Sequence, residues 1–247
     1  MKGFWKLAGM EALLYLREPI ASFFTMVFPI LLLFLFGSIY GNKPNPFYGG
    51  RGMVDVSTPA YMAIIIGSTA LMSIPIAIST YRERGILRRF RATPLRPAAV
   101  LGAEISVHLV MTLLGAALLV VAARLVYGLQ FGGTAALVFL ALVLSTLSFF
   151  SVGFLVASLA PNARVANLVG MVLYFPNLFL SGATFPTEMF PPTIKAIGNF
   201  VPMTHIVRLL QGLWFGDPVG RHLTEIVVLG GLLVVGAIIS ALTFRWE

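Results

Sequence analysis

Long uncharged apolar runs alternate with short charged breaks along the chain. From Pro19 to Asn42 no Asp, Glu, Lys or Arg occurs, and the same holds from Val56 to Tyr81. A helix needs about 20 apolar residues to cross the hydrocarbon core of a bilayer. The pattern therefore predicts six membrane-spanning helices, at residues 20–40, 58–80, 101–124, 134–159, 165–185 and 224–244.

Composition strengthens this prediction and excludes several other classes. Of the 247 residues 58% are hydrophobic and 11% are charged, whereas about a quarter of the residues of a soluble domain are charged. We therefore predict an all-α integral membrane protein with a single transmembrane domain, residues 1–247. The chain has no cysteine, which excludes disulfides and thiolate metal sites. We expect no bound metal, because the sequence also has no H-E-x-x-H motif and no acid-rich metal cluster. We expect no nucleic-acid partner, because the basic residues lie in short breaks where lipid headgroups or a cytosolic protein fit better.

The distribution of the 17 Lys and Arg residues predicts the orientation. Most of them lie in the N-terminal segment, in residues 81–100, and at Arg164 and Arg245. Cytoplasmic loops carry an excess of Lys and Arg. We therefore expect a multi-pass protein of the cell membrane with both termini in the cytoplasm, and an external segment at 186–223.

The stretch YRERGILRRFRATPLRP at residues 81–97 holds six of the thirteen arginines. If residues 82–92 form a helix, Arg84, Arg88 and Arg91 share one of its sides. The arginines could simply fix the orientation and contact lipid phosphates. Glu83 and Gly85 suit a lipid-facing helix poorly, because an acid is repelled there and glycine weakens a helix by about 1 kcal/mol. A protein partner with a mixed-charge groove would explain both residues.

This loop resembles the coupling helix of the membrane subunits of type-2 ABC exporters, a family that includes drug, polysaccharide and lipid-linked export permeases. The shared features are an acidic-basic pair, a glycine, an apolar-basic helix and the turn Thr93-Pro94. The amphipathic residues 1–18 are similar to the family's connecting helix, and Phe28-Pro29 matches a recurrent proline of the first span. The sequence SGATFPTEMFPP, which leads into 186–223, is similar to its external re-entrant helices. The resemblance implies that the following residues contact a separate ATPase: Arg82, Glu83, Arg84, Gly85, Leu87, Arg88 and Arg91.

The resemblance also implies partners and a task. Two ATPase subunits would carry ATP and Mg, and a second permease copy would complete a homodimer or a related heterodimer within the membrane lipids. The chain lacks the phosphate-binding motif G-x-x-x-x-G-K-[ST], so we expect no cofactor and no enzymatic activity of its own. The expected task is the export of an amphipathic or lipid-like substrate, such as a drug, lipid or glycan. The family implies a path lined by Pro29, Met72, Phe175 and Asn177.

Two ionisable residues leave an alternative function open. Glu104 and His108 lie one turn apart on the third predicted span, and ionisable residues within a membrane often mark a transport pathway. They could form a proton relay in an ion-gradient-driven carrier or channel that works without an ATPase. Glu104 could equally have a structural role and pair with a loop arginine such as Arg96. A third possibility is a membrane scaffold whose arginine loop recruits a partner without any transport.

Overall fold

A computed structural model describes residues 9–10, 12–13, 15, 22–86, 97–185, 187 and 190–243, without the side chains of Phe47 and of residues 97–100. This part of the chain is helical and contains no β-strand. Six helices are long and apolar enough to cross a membrane: Phe23–Tyr40 (α1), Met53–Glu83 (α2), Pro97–Tyr127 (α3), Ala135–Leu159 (α4), Ala163–Leu180 (α5) and Leu223–Thr243 (which is named α8 below). The predicted fold class, an all-α membrane protein with six membrane-spanning helices, is confirmed.

Two shorter helices lie between α5 and the last long helix. They are Pro192–Gly198 (α6) and Pro202–Trp214 (α7), and a 3-10 turn at Val219–His222 leads into α8. Proline occupies the start of both helices, where its missing N–H would have no partner in any case. α7 is largely buried against α2, α4 and α8. The re-entry of this segment into a membrane stays a prediction.

The second helix occupies the centre of the bundle. It contacts α1, α3, α4, α5 and α7, and nearly all of its residues up to Pro75 are buried. Glycines allow the closest of these contacts. A Cβ atom at Gly153 of α4 would overlap the carbonyl oxygen of Ala70, and one at Gly170 of α5 would overlap that of Leu71. The backbone of α2 therefore packs directly on two neighbouring helices.

Two of the spans contain a wide, π-helical turn directly before a proline. In α1 this turn is Phe23–Val27, followed by Pro29, and in α2 it is Thr69–Ser73, followed by Pro75. A proline inside a helix removes one hydrogen bond and its ring clashes with the carbonyl one turn earlier. In the wide turn, backbone N–H groups bond the carbonyl five residues earlier, as Phe28 bonds Phe23 and Ile74 bonds Thr69.

The extent of α2 differs from the predicted span at 58–80. The helix begins at Met53 and ends at Glu83, because polar partners satisfy the charged residues at both ends. Asp55 accepts hydrogen bonds from the Asn42 side chain (2.9 Å) and from the backbone N–H of Gln130 (2.8 Å). A count of charges alone places the end of a helix at the first charge and so misses these turns.

The sixth span is attached mainly to the fourth. Ser148 Oγ of α4 lies 2.8 Å from the carbonyl oxygen of Leu229, and Ser158 Oγ lies 2.8 Å from Thr243 Oγ1. Small hydroxyl residues are common between membrane helices, where they allow close approach and bond across the interface. The rest of α8 is largely exposed on the outside of the bundle.

Candidate functional site

The end of α2 is the place where the predicted coupling segment begins. The backbone N–H of Gly85 donates to the carbonyl of Arg82 (3.0 Å), and Gly85 has a φ of +65°. Only glycine adopts this conformation without strain, and it ends helices for that reason. The prediction of one continuous helix over 82–92 is therefore wrong, because α2 stops at Glu83 and the chain turns before it becomes helical again at Ile86.

Arg82 and Glu83 bind the connection between α4 and α5. The guanidinium of Arg82 donates a hydrogen bond to the carbonyl of Ala160. Glu83 Oε1 accepts a hydrogen bond of 2.7 Å from the backbone N–H of Ala163, the first residue of α5. A carboxylate is favourable there, because the first N–H groups of a helix are unpaired and carry partial positive charge.

This connection has its own helix start. Asn162 is the N-cap of α5, and its side chain accepts a hydrogen bond from the backbone N–H of Val165 (2.8 Å). Glu83 and Asn162 thus satisfy two different N–H groups of the same helix end. We call the contact formed by Arg82, Glu83, Ala160 and Ala163 the 83–163 contact.

Of the other residues predicted to contact the ATPase, some lie within the described part of the chain and some lie outside it. Arg84 is exposed, and its side chain makes no hydrogen bond or ion pair with the described residues. Leu87, Arg88 and Arg91 lie outside the described residues. Sequence reasoning found Arg82 and Glu83 but missed Ala160 and Ala163, because these two contribute backbone groups that no residue type reveals. The Pro161-Asn162 pair was the available signal, since it marks a helix start.

A buried hydrogen-bond chain joins the two wide turns near the middle of the bundle. Tyr15 Oη lies 2.6 Å from Thr25 Oγ1, which in turn lies 3.1 Å from Thr69 Oγ1. Both threonines are fully buried. Thr25 lies in the wide turn of α1 and Thr69 in that of α2. No sequence pattern predicts this hydrogen-bond chain, because isolated hydroxyl residues are common in membrane helices.

Glu104 and His108 are buried on α3, with 2% and 4% of their surfaces exposed. Nδ1 of His108 lies 3.4 Å from Glu104 Oε2 and 3.0 Å from the Glu104 carbonyl. The ring of Tyr15 packs edge-on against the imidazole, with 5.2 Å between centroids. Among the described residues, Glu104 Oε1 has no hydrogen-bond partner. Arg96 lies outside that part of the chain, so its pairing with Glu104 stays a prediction.

The four predicted path residues have different surroundings. Pro29 and Met72 are buried in α1 and α2, whereas Phe175 is 43% exposed on α5. Asn177 connects α5 to α7, since its Oδ1 accepts a hydrogen bond from the backbone N–H of Met203 (3.2 Å). Their shared role in a path stays a prediction. Within the described residues, no group of His, Cys, Asp and Glu is arranged to hold a metal ion.

The six long helices and the buried central span define a multi-pass membrane protein. The family model of the ABC-2 type transporter matches residues 2–215. The chain therefore belongs to the ABC-2 type transporter family and is the membrane subunit of an ABC transporter.

Three relatives illustrate the breadth of the similarity. Nodulation protein J of Rhizobium leguminosarum bv. trifolii is 30% identical over 223 residues, which cover 87% of this chain and 78% of the relative. The inner membrane transport permease YhhJ of Escherichia coli (strain K12) is 26% identical over 176 residues, or 70% of this chain and 45% of YhhJ. The probable multidrug ABC transporter permease YbhS of the same strain is 20% identical over 189 residues, or 76% of this chain and 49% of YbhS. The chain thus spans about half the length of these two permeases.

Proposed function

We propose that this chain exports an amphipathic or lipid-like substrate and uses ATP hydrolysed by a separate ABC ATPase. Two copies of the chain, or one with a related permease, would pair with two ATPase subunits that bind ATP and Mg. The ATPase would dock on the cytoplasmic segment that begins at Arg84, and both termini would lie on the same side. The observation that carries this proposal is the 83–163 contact.

The contact gives the docking segment a physical connection to two spans at once. Glu83 ends α2 and holds the first N–H of α5, so a displacement of the segment after Gly85 acts on both helices. Farther along, Gly170 of α5 packs against the backbone of α2 with no side chain between them. Close-packed interiors transmit displacement because they have little free volume to absorb it. We therefore expect α2 and α5 to move together when the ATPase binds ATP.

The proposed substrate class rests on the outer faces of α1 and α5. These helices carry exposed apolar residues, among them Phe34, Leu35, Val172 and Phe179, and no charged side chain occurs on α1. Apolar faces of two copies would enclose a path suited to the hydrocarbon part of a drug, lipid or lipid-linked glycan. The name of YbhS assigns a multidrug role to that relative, which agrees with this class.

The absence of cysteine from the sequence makes the test direct, because a single introduced thiol is the only labelling site that this sequence contributes, and the complex without an introduced thiol measures any label on the ATPase. Val172→Cys places a spin label on the exposed face of α5, and Val235→Cys places one on α8. The chain is purified in mild detergent with the ATPase that accompanies it. We expect ATP with vanadate to change the spectrum at position 172 and to leave position 235 largely unchanged.

Variants of Glu83 separate the internal contact from a direct charge contact with the ATPase. Glu83→Gln keeps an oxygen that can accept the Ala163 N–H, whereas Glu83→Ala removes it. We expect Glu83→Ala to abolish the nucleotide response at position 172 and Glu83→Gln to retain most of it. Equal loss in both variants, with normal folding, would show that the negative charge of Glu83 is required and that the hydrogen bond alone does not carry the response. If no ATP-hydrolysing partner accompanies the wild-type chain, the exporter proposal fails.

Glu104 and His108 support a second candidate, an ion-gradient-driven carrier. Among the described residues, the buried Glu104 Oε1 has no hydrogen-bond partner, and ionisable residues at membrane depth often mark proton pathways. If this alternative holds, vesicles that contain the chain alone would release internal protons under a pH gradient. Glu104→Gln would stop that flux, while the Val172 label would show no response to ATP. An ATP response of the Val172 label, together with no proton flux in vesicles that contain the chain with Glu104 intact, would exclude the carrier.

A further inference from the structure

An open apolar groove lies on the side of the bundle between α3 and α4. Its volume is about 760 Å³, and it reaches past both helices to Met62 of α2 and Trp214 of α7. These two residues are buried, at 3% and 4% exposure, and form the floor. Ala116 and Ala117 leave the space on the α3 side, because their side chains are too small to fill it.

The end of the groove is firmly built. In the loop between α3 and α4, Leu129 is buried and Phe131 is 39% exposed. The ring of Phe131 packs edge-on against Trp214, with 4.8 Å between centroids. The indole N–H of Trp214 donates to the carbonyl of Gln130 (3.1 Å). These contacts fix the floor and the end wall, so the opening is a property of the packed structure.

One cation lies at the rim of this otherwise apolar groove. Arg124 is in the last turn of α3 and exposed, and its guanidinium makes no hydrogen bond or ion pair with the described residues. From Val110 to Arg124 the groove follows α3 for about 21 Å, since a helix rises 1.5 Å per residue. One leaflet of a hydrocarbon core is about 15 Å thick. The acyl chain of a lipid whose headgroup lies at Arg124 can therefore follow the groove through the whole thickness of one leaflet.

We propose that this groove is a binding site for an anionic phospholipid of the leaflet on the Arg124 side. Arg124 binds the headgroup phosphate, and one acyl chain lies between α3 and α4 and contacts Trp214. A basic residue at the membrane surface attracts anionic lipid, and the groove supplies a surface that matches hydrocarbon. The proposal requires no ATPase and stands independently of the export function.

Trp214 provides the measurement. The sequence has three tryptophans, so Trp5→Phe and Trp246→Phe leave Trp214 as the only one. The chain is placed in nanodiscs of phosphatidylcholine that contain increasing fractions of brominated phosphatidylglycerol or brominated phosphatidylcholine. Bromine quenches tryptophan fluorescence at short range. We expect half-maximal quenching at about fivefold lower mole fraction of the brominated phosphatidylglycerol, because of the attraction of one arginine to the anionic lipid.

Two pairs of variants separate the site from the general lipid surroundings. Arg124→Gln should remove the preference for phosphatidylglycerol, whereas Lys43→Gln, at an exposed lysine away from the groove, should keep it. Ala117→Phe should reduce quenching by both lipids because it fills the groove. Leu118 is the adjacent exposed residue and does not line the groove, so Leu118→Phe should leave the quenching unchanged. Equal quenching by the two lipids in the wild-type chain would overturn the proposal, as would quenching that Ala117→Phe leaves unchanged. Loss of all quenching when the chain dimerises would assign the groove to a second copy instead.

Discussion

The second and sixth spans are both long apolar helices, yet they occupy opposite environments. In the most apolar stretch of α2, 89% of the residues are buried within the protein, against 17% in α8. α2 carries serines, threonines and prolines and touches its neighbours through their glycines, whereas α8 is mostly Leu, Val, Ile and Gly. Lipid tails are as apolar as leucine, so hydrophobicity does not draw a helix into the centre of a membrane protein. Close packing and hydrogen bonds decide which helix lies inside.

The largest expected contrast concerns glycines on the neighbours of α2 and on α8. Gly153→Ala and Gly170→Ala would each force a Cβ against a backbone carbonyl of α2. Overpacking of this kind costs about 1–3 kcal/mol per site, so the double variant should unfold well below the wild-type temperature in detergent. Gly231→Ala on α8, with open space around the added atom, should be neutral or stabilising by up to about 1 kcal/mol. Equal stability of the double variant and Gly231→Ala would contradict the claim that α2 is packed more closely than α8.

The acidic residues in the first turns of the two helices give the next contrast. Asp55 of α2 accepts hydrogen bonds from Asn42 and Gln130, whereas Glu225 of α8 only approaches His222, at 3.7 Å. Asp55→Ala should lower the free energy of unfolding by about 1–3 kcal/mol, because two donors lose their acceptor. Glu225→Ala should have the smaller effect. Unfolding in SDS titrations measures both, and a reversed order would contradict the assigned partners.

A smaller contrast is expected for two threonines that pair across helices. Thr69 of α2 lies 3.1 Å from Thr25, and Thr243 of α8 lies 2.8 Å from Ser158. Valine keeps the shape of threonine and removes the hydroxyl. Side-chain hydrogen bonds between membrane helices average about 0.6 kcal/mol, and Thr69 belongs to a longer buried chain. We expect Thr69→Val to cost more than Thr243→Val in the same titration. Because Thr25 also bonds Tyr15, a double variant Thr25→Val/Thr69→Val that costs no more than Thr25→Val alone would confirm that the two hydroxyls act as a pair. A cost equal to the sum of the two single changes would contradict the pairing.

The sequence predicted the number of spans because charges are costly in hydrocarbon and therefore mark the ends of each run. It was less successful where a charge has a partner, as at Asp55 and Glu83, since a paired charge can continue a helix past the expected boundary. The helix predicted over 82–92 failed at Gly85, whose positive φ ends α2. Glycine is an unfavourable helix residue, and at this position its backbone conformation outweighs the helical spacing of the arginines.

The candidate site was predicted only in part. Arg82 and Glu83 were selected by resemblance, but the resemblance implied contact with another subunit, and their partners in this chain are backbone groups of Ala160 and Ala163. The pairing of Thr25 with Thr69 cannot be predicted from the sequence, because the two residues are 44 positions apart. Glu104 and His108 were easier to find, since two ionisable residues one turn apart stand out in an apolar helix.

The sequence by itself determined that this protein has six membrane-spanning helices, because the length of an uncharged run and the cost of charge in hydrocarbon are local properties. The sequence motifs also indicated the resemblance to type-2 ABC exporters. Only the tertiary structure decided that α2 is the central helix, that Glu83 holds the start of α5, and that an apolar groove with Arg124 at its rim opens beside α3. These features depend on contacts between backbone groups and small residues from distant parts of the chain, and such contacts leave no pattern along the sequence.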